Sequence, residues 1–124
     1  MTEYRLGAIE RRFADLIWQH APISSGELVR LCEQELDWKK STTYTVLRRL
    51  CERGLFRNEK GIVTPLVTMA EYETGCSQGY VREAFAGSLP RFLAAFTGGS
   101  KLSKSEADAL RKLIDESVDP GKEG

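Results

Sequence analysis

WKKSTTYTVLRRLCERGLF, residues 38–56, is the stretch whose reading decides the fold. Five of the chain's 18 basic residues fall in these 19 positions, interleaved with three threonines and one tyrosine. On a helical wheel beginning near Ser41, Thr43, Val46, Leu47 and Leu50 gather on one side. Ser41, Thr45, Arg48 and Glu52 lie opposite, and Tyr44 and Arg49 mark the two borders. The wet face is therefore hydroxyl and guanidinium rather than the usual mixture of Glu and Lys. Gly54 stands where a left-handed C′ residue ends a helix.

Upstream, Ile9, Phe13, Leu16, Ile17 and His20 form one apolar stripe over a first helix from Leu6 to His20, closed by Ala21-Pro22. A capping box, Ser24 with Glu27, then opens a second helix. Ile23 and Leu28 act as its hydrophobic staple, and Leu28, Leu31, Cys32 and Leu36 face inward. Downstream, Leu55-Phe56 and Ile62-Val63 flank the turn-forming Asn58-Glu59-Lys60-Gly61, which predicts a hairpin. Three helices and a hairpin within about 60 residues make the plan of a winged helix-turn-helix.

The rest reads as helical. Met69, Tyr72, Cys76 and Tyr80 space a fourth helix, weakened by Gly75 and Gly79. Leu89, Phe92, Leu93 and Phe96 mark a short fifth. Ser103 with Glu106 caps a last helix carrying Leu110, Leu113, Ile114 and Val118 on its seam. The expected class is mainly α with a small β-hairpin: a winged-helix domain over 1–67, a helical dimerisation domain over 68–118 and a frayed tail over 119–124. Halves of this size bury too little surface to be very stable alone, which favours pairing of two chains.

Charge narrows the function. Net charge is zero, yet residues 38–60 carry seven basic and two acidic side chains, and the acidic flanks cancel them. A compact basic segment is what local polyanion binding needs. Ser41, Thr42, Tyr44, Thr45 and Arg48 are placed to reach base edges in a major groove. Lys39, Lys40, Arg49, Arg53, Arg57 and Lys60 read as phosphate clamps, Arg57 and Lys60 of them on the hairpin, the wing.

Other classes fit poorly. One histidine and no Gly-rich phosphate loop give no catalytic grouping, so no enzyme is expected. Cys32, Cys51 and Cys76 are too scattered for a zinc site, so neither metal nor cofactor is expected; they read as free thiols in a reducing cytosol. No apolar run is long enough to span a bilayer, which reads as a cytoplasmic protein without membrane contact. The main competitor is a winged helix that binds protein rather than DNA, for which the short wing, Glu52 and the neutral total speak. A thiol-oxidation sensor would need an exposed, acidic cysteine.

The pattern W-x-x-x-T-x-x-T-x-L-x-R-L-x-x-x-G-L, formed by Trp38, Thr42, Thr45, Leu47, Arg49, Leu50, Gly54 and Leu55, resembles the recognition-helix block of the penicillinase-repressor (BlaI/MecI/CopY) family. Glu10 with Ile17-Trp18, and Phe85 with Gly87-Ser88-Leu89 and Phe96, extend the resemblance over residues 6 to 116. It implies a bacterial repressor that binds a dyad-symmetric double-stranded operator as a homodimer. Thr42, Thr45 and Arg49 become the implied DNA contacts. Leu89, Phe92, Leu93, Phe96, Leu110 and Leu113 become the implied dimer interface, to which Tyr72 and Ile114 are added as apolar helix positions. The wing, Arg57 to Pro65, is shorter than the family's usual one. β-Lactam-responsive members are cut by a sensor protease between Asn and Phe; the matching bond here is Ala95-Phe96. The paired C-terminal cysteines of copper-responsive members have no counterpart after Cys76.

Overall fold

A computed structural model describes residues 5–122; positions 1–4 of the expected first domain and 123–124 of the expected tail lie outside the described residues. Helices α1 (Ala8–His20), α2 (Ser25–Leu36) and α3 (Lys40–Glu52) precede a hairpin, β2 (Phe56–Glu59) and β3 (Ile62–Pro65). Helices α4 (Met69–Phe85), α5 (Leu89–Gly98) and α6 (Lys104–Glu116) follow. A short strand β1 (Ile23–Ser24), which sequence patterning did not anticipate, pairs antiparallel with β3, giving the order β1-β3-β2. The architecture is a winged helix-turn-helix followed by a helical region.

Local chemistry explains the boundaries. Helix α1 starts two residues later than expected because Gly7 takes the N-cap, its N–H donating to the Glu10 carboxylate at 3.3 Å. The buried stripe is Phe13, Ala14 and Ile17; Ile9 and His20, at the two ends of the expected stripe, are exposed. Ser24 caps α2 by accepting from the Glu27 N–H at 3.1 Å. The reciprocal arm of the expected capping box is missing: Ser24 belongs to β1, and its hydroxyl donates to the Glu27 carboxylate instead. Asp37 ends α2 in the left-handed region at φ 56°.

The hairpin turn is tighter than the predicted four residues. Asn58 and Glu59 pair with Val63 and Ile62, which leaves Lys60 (φ 53°) and Gly61 (φ 79°) as the two central residues. Positive φ at both is the signature of a type I′ turn, whose twist matches that of the flanking strands. Gly61 accepts a hydrogen bond from the Ser25 N–H at 2.8 Å, so the wing tip is tied to the start of α2.

The core sits in the first half. Phe13, Ile17, Leu28, Cys32, Leu47, Leu50, Leu55, Phe56 and Val63 are essentially inaccessible to solvent. Trp38 packs on Phe13 with ring centroids 5.3 Å apart, and Trp18 packs on Phe56 at 5.5 Å. Trp18 donates its indole N–H to the Val67 carbonyl at 2.8 Å, pinning the exit of the hairpin.

Tyr72 corrects the sequence reading. Expected at the interface between chains, it is only 4% exposed. Its ring packs on Trp18, and its hydroxyl accepts from the Leu6 N–H at 3.0 Å. The first turn of α4 thus seals the winged-helix core, and Tyr72 offers almost no surface to a partner.

Candidate nucleic-acid interface

Helix α3 divides along its length as the wheel predicts. Thr43, Val46, Leu47 and Leu50 are buried, and Ser41, Thr42, Thr45, Arg48 and Glu52 are exposed. Thr43 is buried at low cost because its hydroxyl donates to the Lys39 carbonyl at 3.3 Å. Tyr44, on the border, is half-buried and donates to the Ser25 hydroxyl at 3.1 Å. That bond couples α3 to the start of α2, where the wing tip is also tied. Tyr44 therefore serves first to orient the helix, with its ring edge at the margin of the exposed face.

The basic residues separate into two groups. Lys39, Lys40, Arg48 and Lys60 are exposed, and Arg57 faces Glu59 across 3.7 Å with both side chains largely in solvent. Such a surface pair contributes little and leaves the guanidinium available. Arg49, also exposed with its side chain 52% accessible, and the half-buried Arg53 differ in having a partner on α1. Arg49 Nη1 lies 2.9 Å from Glu10 Oε2, Arg53 Nη1 lies 3.8 Å from Glu10 Oε1, and Arg53 Nη2 donates to the Arg5 carbonyl at 3.0 Å. Burial alone would raise the Glu10 carboxyl's pKa. Hydrogen bonds from Arg49 and Gly7, with the charges of Arg49 and Arg53, outweigh it and hold the pKa below its ordinary value. Sequence reading grouped both arginines with the phosphate clamps; the structure engages both with α1.

The second half presents a different surface. Neither α5 nor α6 contains a fully buried residue. Leu89 and Phe96 are 61% and 62% exposed, and Leu113 and Ile114 are also more than half exposed. Phe92, Leu93 and Leu110 are half-buried. Tyr80, Phe85, Phe92 and Phe96 form a chain of ring contacts between α4 and α5, with centroids 5.6 to 6.1 Å apart. Phe85 adds an aromatic that helical spacing alone did not single out for this cluster. Ala95 and Phe96 are exposed within α5.

Cys32 is buried, and desolvation pushes its thiol up to about 11, partly countered by a hydrogen bond involving Thr43. Burial raises the Cys51 thiol as well. Both directions disfavour thiolate chemistry. Among the described residues no group of His, Cys, Asp and Glu is arranged to hold a metal, and no helix is long and apolar enough to cross a membrane.

Comparison with known proteins gives one consistent result. The penicillinase repressor family profile matches residues 6–116. The penicillinase repressor of Bacillus licheniformis is 24% identical over 112 residues, covering 87% of this chain and 88% of that protein. The methicillin resistance regulatory protein MecI of Staphylococcus aureus is 21% identical over 115 residues, covering 90% of this chain and 94% of that protein. The same-named protein of Mammaliicoccus sciuri is 20% identical over 115 residues.

Proposed function

The chain belongs to the penicillinase-repressor family, and on that premise we propose that it is a sequence-specific DNA-binding transcriptional repressor. It acts in the cytoplasm as a homodimer on a dyad-symmetric operator. The observation that carries this reading is the exposed face of α3: Ser41, Thr42, Thr45 and Arg48 stand clear of the core on a helix whose opposite face is fully packed. A helix anchored on one side and offering hydroxyls and a guanidinium on the other suits a major groove. Arg48 is the residue for a bidentate guanine contact, and Thr42 and Thr45 for hydroxyl or thymine-methyl contacts. Lys39, Lys40, Arg57 and Lys60 then serve phosphates.

Residues 1–67 with the first turn of α4 form the reading unit, and the remainder of 68–118 pairs two chains. The support for pairing is the apolar surface left open on α5 and α6 by Leu89, Phe96, Leu113 and Ile114. A sensor protease acting at Ala95-Phe96 would sever α5 within that surface and so release the operator by splitting the dimer.

One observation favours a second reading, a winged helix that docks on protein. Glu10 occupies Arg49 and Arg53, and Glu52 and Glu59 lie within the basic segment, so the positive field is weaker than its residue count. Binding to the chain's own upstream intergenic DNA and to a scrambled duplex separates the two. The repressor reading expects preference for the former with a defined footprint. Equal, feeble binding to both by a folded protein would overturn it in favour of the protein-docking module.

A further inference from the structure

The Glu10 cluster has a geometry that the repressor reading alone does not explain. Its carboxylate accepts from the Gly7 N–H at 3.3 Å on one oxygen and from Arg49 at 2.9 Å on the other, with Arg53 at 3.8 Å. Glu10 is thus fixed by the first turn of α1, where the helix dipole already favours a negative charge. Arg49 in the last turn of α3 and Arg53 at its C-cap lie four residues apart, and Arg53 is further fixed by the Arg5 carbonyl. One anchored carboxylate therefore faces two guanidiniums at the C-terminal end of the helix offered to DNA.

We propose that Glu10 acts as a built-in competitor of phosphate, holding Arg49 and Arg53 against α1 and so limiting the sequence-independent part of DNA affinity. The proposal rests on the repressor reading and names a positioning residue within it. A carboxylate in hydrogen-bond contact with the half-exposed Arg49 guanidinium offsets part of the charge that a phosphate would feel. Ligation by phosphate would first have to displace it. Phosphate contacts carry no base information, so a protein that withholds two of them leaves more of its affinity to the residues that read bases. The remaining exposed surface of Arg49 is oriented, not released.

The test compares wild type with Glu10→Gln and, as an equal change of charge on α3 itself, Glu52→Gln. Log affinity is measured against log salt on the upstream duplex and on random DNA. Freeing an arginine steepens the slope by about 0.9 per added phosphate contact, which is about eightfold in affinity for each tenfold change in salt. Glu10→Gln is expected to steepen the slope on both duplexes alike, and Glu52→Gln to steepen it by less. Equal effects of the two variants would reduce Glu10 to a general contribution to the field and overturn the proposal. So would an unchanged slope, or a gain confined to the upstream duplex.

Arg49→Gln in the otherwise native chain gives a check that survives misfolding of Glu10→Gln. Its slope should match wild type, because an Arg49 held by Glu10 makes no phosphate contact to lose, whereas Lys40→Gln should lose about 0.9 per protomer. A loss for Arg49→Gln as large as for Lys40→Gln would overturn the proposal. Retention on heparin, a polyanion without bases, separates the two ideas. Later elution of Glu10→Gln than of Glu52→Gln sustains the Glu10 role even where wild type shows no preference for any duplex, the result that would sink the repressor reading.

Discussion

The salt dependence of DNA binding is fixed in size by which cations the fold leaves free. Residues 38–60 contain seven, namely Lys39, Lys40, Arg48, Arg49, Arg53, Arg57 and Lys60. Glu10 pairs with Arg49 and Arg53, and the proposed complex reserves the exposed Arg48 for a base edge. That leaves Lys39, Lys40, Arg57 and Lys60, or about four phosphates per protomer and eight per dimer. At about 0.9 per phosphate the log–log slope should be about −7, a loss of roughly ten-thousandfold in affinity between 50 and 200 mM salt. Fluorescence anisotropy on a labelled duplex across that range measures it directly. A slope near about −13 would mean that all seven cations reach phosphate in both protomers, and would refute the accounting at Glu10. A slope shallower than about −4 would mean that only one protomer engages or that α3 does not enter the groove.

Arg48→Ala should reduce discrimination between the operator and a guanine-substituted variant by about 1–3 kcal/mol in competition binding, while a uniform loss on all sequences would reassign Arg48 to phosphate. Phe96→Asp, on a helix with no buried residue, should leave the winged-helix fold intact by circular dichroism and shift the sedimentation coefficient to that of a monomer at micromolar concentration; an unchanged coefficient would place the interface elsewhere. The stability difference between wild type and Glu10→Gln should depend on pH in one direction. Because the native Glu10 pKa is depressed, the carboxylate's contribution is complete above its ordinary value and fades as pH falls through the native one. Melting curves of the two proteins should therefore differ at neutral pH and converge in acid, and a difference that grows in acid would contradict the pairing.

The parts of the fold that were legible are those whose cause lies within a few residues. The division of α3 into Thr43, Val46, Leu47 and Leu50 inside against Thr45 and Arg48 outside follows from a 3.6-residue period and a packed neighbour. The caps at Ser103 and Gly54 are equally local. Strand β1 was not legible: two residues carry no alternation, and Ile23-Ser24 become a strand only because β3 lies beside them. The Glu10–Arg49 pair spans 39 positions and Tyr72 with Leu6 spans 66, separations at which no periodicity operates. The misplacement of Tyr72 has the same origin. Its helical spacing correctly marked a buried face, and spacing cannot say whether the burying partner is another chain or α1.

The position of Tyr72 changes how the two halves must communicate. Helix α4 is 17 residues long, about 25 Å, and is gripped at both ends by different clusters. At its start, closed by its own Thr68–Glu71 capping box, Tyr72 on Trp18 and the Arg11–Glu73 ion pair at 3.0 Å fasten it to α1. At its end Tyr80 and Phe85 pack on Phe92 of α5. A helix held in this way moves as a unit, since packed contacts switch between discrete arrangements rather than stretching. Displacement of Phe92 and Phe96 by a partner chain, or its loss, would pass along α4 to α1. From α1 it would reach α3 through Phe13 against Trp38 and through Glu10 with Arg49. In the proposed homodimer, the geometry of pairing and the pose of α3 would then be one variable. On that reasoning the spacing of half-sites, one helical turn of about 34–36 Å or a multiple of it, is set by the angle at which α4 leaves the first core.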